Sequence, residues 1–266
     1  MWATLCGKPI LKPDPLVTFK LQGKIALVSL NRPARHNALV PELLTQLLKV
    51  LDHQACRSAT VVILRAEGRS FSTGGDLSGF QSHRDNIGTY ARLLVGKLNQ
   101  VILAIYTHPA VIVCAVHGQV TGGALGLLLA ADQIIMRRGV TITPWYSVVG
   151  FSPDGGWTAL LPDIIGRQKT MRWLASNSSY DADTCLALGL VHQVVENDCS
   201  ASALEWAEKV VADNTGSDFR SRKSRNTHIE DLRRRLRDER EDFVSRIQTQ
   251  QALDGIDTFL RRQEHA

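Results

Sequence analysis

The sequence predicts an α/β fold with largely parallel strand pairing, followed by an all-helical C-terminal region. Three observations lead there. Short apolar runs such as "TVVILRAEG" (60–68) and "AVIVCAVHG" (110–118) read as strands buried on both faces of a sheet. Segments with helical spacing alternate with them, the pattern of parallel strands joined by helices. After about residue 200 the strand-like runs stop and charged amphipathic helices take over.

Taken in order, residues 1–15 contain three prolines and read as an extended arm, without the basic start and apolar stretch of a signal peptide. "LVTFKLQGKIALVSLNRP" (16–33) alternates apolar and polar residues around Gly23, as two strands and a turn would. In "VPELLTQLLKVLDHQ" (40–54) five leucines fall at helical spacing behind Pro41, a good first-turn residue. "RLLVGKLNQVILAIYTH" (92–108) is again helical, and "QVTGGALGLLLAAD" (119–132) reads as a glycine turn entering a helix. "QIIMRR" and "VTITP" read as two further short strands. In "FSPDGGWTALLP" (151–162) a helix is expected to start near Trp157, with Asp154 either its N-cap or a carboxylate aimed into a pocket. "ASALEWAEKVVADN" is amphipathic, and Ile229, Leu232, Leu236, Phe243 and Ile247 form an apolar stripe under a charged face. The resulting division is an arm at 1–15, a core at 16–200 and a helical region at 201–266.

With 44% apolar and 21% charged residues the composition is that of an ordinary globular chain. The net charge of +5 suits an anionic small ligand and would equally suit weak nucleic-acid contact. The five cysteines show no CxxC pair and no HExxH occurs, so neither a disulfide frame nor a metal site is expected, and reduced thiols in a cytoplasmic protein are. The longest strongly apolar stretch, "ALGLLLAA", is too short to span a bilayer.

Two glycine-rich turns follow buried strands, "FSTGGDLSGF" (71–80) and "HGQVTGGALG" (117–126). Neither is a GxGxxG fingerprint or a P-loop, so a nucleotide-phosphate cradle is not supported. Either turn could merely permit a tight strand-to-helix connection. Together they could place one backbone N–H each on a single oxygen, where loss of one donor typically costs about 2.7–4 kcal/mol of transition-state stabilisation.

"LNRPARHNAL" (30–39), "RSFSTGGDL" (69–77), "VHGQVTGGALGLLLAAD" (116–132), "GFSPDGGWTALLPDIIG" (150–166) and "ADTCLALGLVHQVV" (182–195) occur in the order seen in the crotonase, or enoyl-CoA hydratase/isomerase, superfamily, which this chain resembles over residues 16–200. The resemblance implies a crotonase-like spiral of ββα repeats and a C-terminal helical region that makes homotrimers, often paired into hexamers. It implies an acyl-CoA thioester as substrate, with coenzyme A as part of that substrate and no separate cofactor. By position, Gly75 and Gly123 would hold the thioester oxygen. Ala34, Arg35 and His36 would clamp coenzyme A, and Ser72, Gly74, Asp76, Leu77, Gly122 and Phe151 would complete the binding wall.

The departures from the family pattern are as informative. Family hydratases use two glutamates, and the matching positions here are Gly126 and Tyr146. What remains is Asp154, at a site where some family isomerases and a 4-chlorobenzoyl-CoA dehalogenase carry an aspartate; this segment resembles that of epoxyphenylacetyl-CoA isomerase. The resemblance thus favours Asp154 as a catalytic carboxylate over a cap. The expected chemistry is enoyl-CoA isomerisation with Asp154 as proton shuttle, its pKa raised by apolar neighbours such as Phe151 and Trp157. Hydratase, hydrolase or dehalogenase outcomes, with Asp154 as base or nucleophile, are the alternatives.

Tyr146 is grouped with the catalytic set, lining the pocket wall or donating to substrate. His117 is expected to bond the turn backbone and Asp76 to brace its turn, while His83 and Tyr90 are candidates for a second acid or base. The arginines of "RSRKSRN" (220–226) and "RRRLR" (233–237) raise RNA binding as a different class of function, with a non-catalytic homologue as another. The interleaved acids Glu230, Asp231, Asp238, Glu239, Glu241 and Asp242 argue instead for a solvated, ion-paired helix face.

Overall fold

The computed structural model describes residues 14–216 and 228–264. Most of the expected N-terminal arm and the "RSRKSRN" segment therefore lie outside the described residues. Among the described residues, nine strands alternate with helices: β1 (Val17–Gln22), β2 (Ile25–Leu30), β3 (Val61–Ala66), β4 (Val111–Val116), β5 (Gln119–Thr121), β6 (Gln133–Arg137), β7 (Thr141–Thr143), β8 (Tyr180–Asp181) and β9 (Gln193–Val195). The helices are α1 (Pro41–Asp52), α2 (Gln54–Arg57), α3 (Leu77–Ser82), α4 (Ile87–Tyr106), α5 (Leu125–Leu129), α6 (Tyr146–Val149), α7 (Leu161–Ile165), α8 (Arg167–Ser176), α9 (Ala182–Ala187), α10 (Cys199–Ala212), α11 (Ile229–Ile247) and α12 (Gln250–Glu264).

The large sheet has the order β1-β2-β3-β4-β6-β9. β1 and β2 form the expected antiparallel hairpin around Gly23, and every later pairing is parallel. Its central strands are apolar throughout because both faces are covered. Ile25, Leu27, Val61, Ile63, Val111, Val113, Ala115 and Ile135 pack against α10, while the alternate residues pack into the main core. A second sheet, β5-β7-β8, is extended by single bridges from Ser72 to Val120 and from Leu39 to Gly75. Each ββα repeat thus sends one strand to the large sheet and one short segment to the small one. Stacking the repeats puts both glycine turns at the same edge.

Two local expectations change. α4 starts at Ile87, five residues before the expected helix at 92. No helix starts at Trp157: residues 155–160 form a run of turns, and α7 begins at Leu161 behind Leu160. Gly155 and Gly156 have φ of +65° and +89°, a backbone that helix starts do not use. Asp154 therefore caps nothing.

α11 carries its stripe inward, burying Leu232, Leu236, Phe243 and Ile247 against the core. Its arginines pair with acids, Arg233 with Glu230, Arg234 with Asp231 and Asp238, and Arg235 with Asp163 and Asp231. Glu239 breaks the expected pattern, being 5% exposed among the apolar residues. No helix among the described residues is long and apolar enough to cross a membrane. The four described cysteines are free and buried.

Candidate active site

A cavity of roughly 800 Å³ opens where the two glycine turns meet, walled further by α6, α11 and α12. The turns are locked together by backbone bonds. Ser72 N–H donates to Gln119 O and Thr121 N–H to Ser72 O, while Leu39 N–H donates to Gly74 O and Asp76 N–H to Leu39 O. The last pair uses the peptide groups on one edge of the 74–76 segment, so the Gly75 N–H faces the other edge. Among the described residues, neither the Gly75 nor the Gly123 amide has a protein acceptor, and both glycines line the cavity. Gly74 needs its φ of +75°, and a Cβ there would stand 2.7 Å from Thr121 O. The Trp157 indole donates to Gly122 O at 2.8 Å and pins the second turn from behind.

Asp154 and Tyr146 face each other on the cavity wall at 7% and 6% exposure. The Tyr146 hydroxyl lies 2.7 Å from Asp154 Oδ1 and 3.0 Å from its carbonyl oxygen. The carboxylate reaches the second glycine turn, since a Cβ on Gly123 would stand 2.9 and 3.0 Å from its two oxygens. Burial raises the Asp154 pKa from 3.8 to about 7; the Tyr146 hydrogen bond opposes that rise and the Glu239 charge adds to it. Burial and the neighbouring Asp154 charge likewise push the Tyr146 hydroxyl well above its ordinary value, so it stays a neutral donor. Replacing Tyr146 with phenylalanine removes the donor that favours the ionised carboxylate. The expected result is an Asp154 titration midpoint raised by about 1 pH unit, read from the pH dependence of turnover or by carbon NMR.

Gly126, at the first glutamate position, has no room for a side chain: a Cβ there would lie 2.4 Å from Gly155 O and 2.6 Å from Ile102 Cδ1. The 155–160 turn occupies the space a glutamate would need. The other carboxylate lining the cavity, Asp76, accepts from Ser78 N–H as the cap of α3 and sits between Arg32 at 2.8 Å and Arg35 at 3.1 Å. Those two cations and their hydrogen bonds outweigh its burial and hold its pKa below the usual carboxylate range. It braces the turn, as expected.

Ala34, Arg35, His36, Gly74, Leu77, Gly122 and Phe151 all line the cavity. Ser72 does not. Its side chain is fully buried and its hydroxyl donates to Asn37 O at 2.8 Å, tying two loops rather than reaching a ligand. His83 and Tyr90 are not part of the wall either; their rings stack on each other 4.2 Å apart, and Tyr90 packs edge-on against the far side of Phe80. His117 bonds Gly68 O at 2.9 Å through Nε2, as expected of a turn-bracing residue.

Sequence reading missed five contributors. Asn37, fully buried at φ +53°, accepts from Arg32 N–H and donates to Glu67 O and Ser70 O, shaping the 32–38 segment. Phe243, Phe259 and Leu260 bring the C-terminal helices into the cavity wall, Phe243 packing against Phe80 and Phe151 and Phe259 against Trp145. Glu239 lies behind the wall and touches the turn that carries Asp154.

The enoyl-CoA hydratase/isomerase family profile matches residues 20–266. YhaR of Bacillus subtilis is 28% identical over 93% of this chain and 97% of its own length. A 4-chlorobenzoyl coenzyme A dehalogenase of Arthrobacter is 29% identical over 71% of this chain and 69% of its own, and the 1,2-epoxyphenylacetyl-CoA isomerase of Escherichia coli is 28% identical over 71% and 72%. The crystal structure of an enoyl-CoA hydratase from Bacillus halodurans superposes with a TM-score of 0.84 at 25% identity, covering 91% of this chain and 99% of that one. With its fold, its paired glycine turns and a family match over nearly its whole length, the chain belongs to the enoyl-CoA hydratase/isomerase family and is an acyl-CoA-processing enzyme of the crotonase superfamily.

Proposed function

We infer that this enzyme moves a carbon–carbon double bond in an enoyl-CoA thioester, with Asp154 as the proton carrier. One observation carries the reading. A single acid of the cavity wall is buried, uncompensated by a cation and held near neutrality, at about 7. The other acid, Asp76, is committed to two arginines. A group that must take a proton and then return it works best when its pKa lies near the working pH. Asp154 takes a proton from a carbon α or γ to the thioester, and the electron pair moves onto the thioester oxygen as a dienolate. The Gly75 and Gly123 amides stabilise that oxyanion. The same carboxyl then delivers the proton two carbons away, and the double bond shifts with no atom gained or lost.

Addition of water needs an acid and a base arranged around a water molecule. The glutamate positions are taken by Gly126 and Tyr146, and the Gly155 carbonyl fills the space at the first of them. A nucleophilic role, as the relationship to a dehalogenase would suggest, calls for a carboxylate that stays ionised, whereas burial raises the pKa of this one toward neutrality. Incubation with enoyl-, dienoyl- and aryl-CoA panels in deuterated water tests the reading. The expected product has its double bond moved and no added oxygen, with deuterium only in the share whose carried proton exchanged with solvent on Asp154. A product that has gained oxygen would overturn the isomerase assignment.

A further inference from the structure

Of the six acids between residues 230 and 242 of α11, Glu239 is the one turned into the core. It forms no ion pair among the described residues. Instead its Oε1 accepts from Thr158 N–H at 2.5 Å, Thr158 Oγ1–H at 2.7 Å and Ala159 N–H at 3.0 Å, and its Oε2 accepts from Gly156 N–H at 2.8 Å. Four donors of one turn therefore converge on one carboxylate from a helix some 80 residues downstream. The Gly156 and Ala159 amides belong to buried residues and would otherwise lack this acceptor.

That turn bears directly on the reacting groups. Gly155 lies against Gly123, where a Cβ would stand 2.5 Å from Gly123 O, and its carbonyl abuts Gly126. Asp154 immediately precedes it. We propose that Glu239 is a positioning residue of the active site, which holds from the C-terminal helix the turn that places Asp154 against the second glycine turn. The groups facing Asp154 are Tyr146 from α6 and Glu239 from α11, and the Glu239 charge favours the protonated Asp154 carboxyl. Burial raises the pKa of Glu239 itself, while the four donors oppose that rise and stabilise its ionised form. Glu239 thus stands as a second buried carboxyl behind the one that exchanges its proton, held in place by those four donors.

The kinetic part of this inference rests on Asp154 being the proton carrier; the electrostatic part does not. The test is Glu239→Gln in the full-length protein, read by carbon NMR titration of the Asp154 carboxyl and by isomerase kinetics. The amide keeps one oxygen acceptor but turns an NH2 donor or a lost acceptor toward Gly156 N–H. The Asp154 midpoint is expected to fall by about 1 pH unit, and kcat to drop about 10- to 100-fold with KM changed much less. Thr158→Val, which removes one donor and leaves the charge, should lower the melting temperature without moving that midpoint. A folded Glu239→Gln protein with an unchanged midpoint and kcat would overturn the proposal. If Glu239→Gln does not fold, Glu239→Asp, which keeps the charge and shortens the reach, should lower kcat with little change in midpoint. Failure of both to fold, with Thr158→Val leaving kcat unchanged, would assign Glu239 to folding alone and also overturn it. A shifted midpoint in an enzyme whose Asp154→Asn variant keeps full activity would instead uphold the coupling and sink the proton-carrier reading.

Discussion

Asp154→Asn is expected to lower isomerase turnover by about 10³-fold or more, while making the folded protein more stable above neutral pH. The two effects have one cause. The carboxyl holds its proton more tightly in the folded chain, at about 7, than at its ordinary value of 3.8. For such a group the contribution to stability is complete below the unfolded pKa and is lost as pH rises through the folded one. The interval corresponds to a stabilisation on the order of 4 kcal/mol at low pH that has disappeared by about pH 8. Asparagine keeps an oxygen for the Tyr146 hydroxyl and cannot ionise, so its variant lacks this pH dependence. Denaturant unfolding of both proteins from pH 5 to 9 checks the point. Parallel stability curves would show that Asp154 titrates alike in the folded and unfolded chains.

Gly126→Glu should not create a hydratase. Restoring the family glutamate sets a Cβ 2.4 Å from the Gly155 carbonyl, a backbone atom that cannot swing away like a side chain end. Overpacking of this kind costs about 1–3 kcal/mol, and burying a carboxylate without a partner adds to it. The expected variant is destabilised by at least about 3 kcal/mol and adds no water to an enoyl-CoA. Gly126→Ala separates the two causes, since it brings the collision without the charge and should already lower the melting temperature. A stable Gly126→Glu protein with hydratase activity would mean that the 155–160 turn yields, and the single-carboxylate account would fail.

The α/β class was legible because strands covered on both faces must be apolar where they are covered, as in 61–64 and 111–116. The glycine turns were legible because tight strand-to-helix connections need residues without a Cβ. Asp154 stood out only through the resemblance of its segment to family members with an aspartate there; its own neighbours left it equally a helix cap. Other parts depend on contacts far apart in the chain. Glu239 sits in a helix crowded with acids, and only its register, three residues after Leu236 and four before Phe243, puts it on the buried stripe. The helix expected near Trp157 starts only at Leu161 because Gly155 and Gly156 adopt positive φ, with Gly155 packed closely on the second glycine turn. Ser72 belongs to the motif next to the cavity, yet the pairing of its segment with β5 leaves its hydroxyl against Asn37. His83 and Tyr90 are chemically capable residues that spacing cannot orient, and they stack together outside the wall.

The proposed reaction has one buried carboxyl carry a proton between two carbons of the bound acyl group. The most direct measurement follows that hydrogen. An enoyl-CoA deuterated at the donor carbon is converted in ordinary water for a single turnover, and the product is read by mass and NMR. The account predicts that a measurable share of the label reappears two carbons away, and that Asp154→Asn forms almost no product. Complete loss of label to solvent in the wild-type reaction, or full turnover by the asparagine variant, would contradict it.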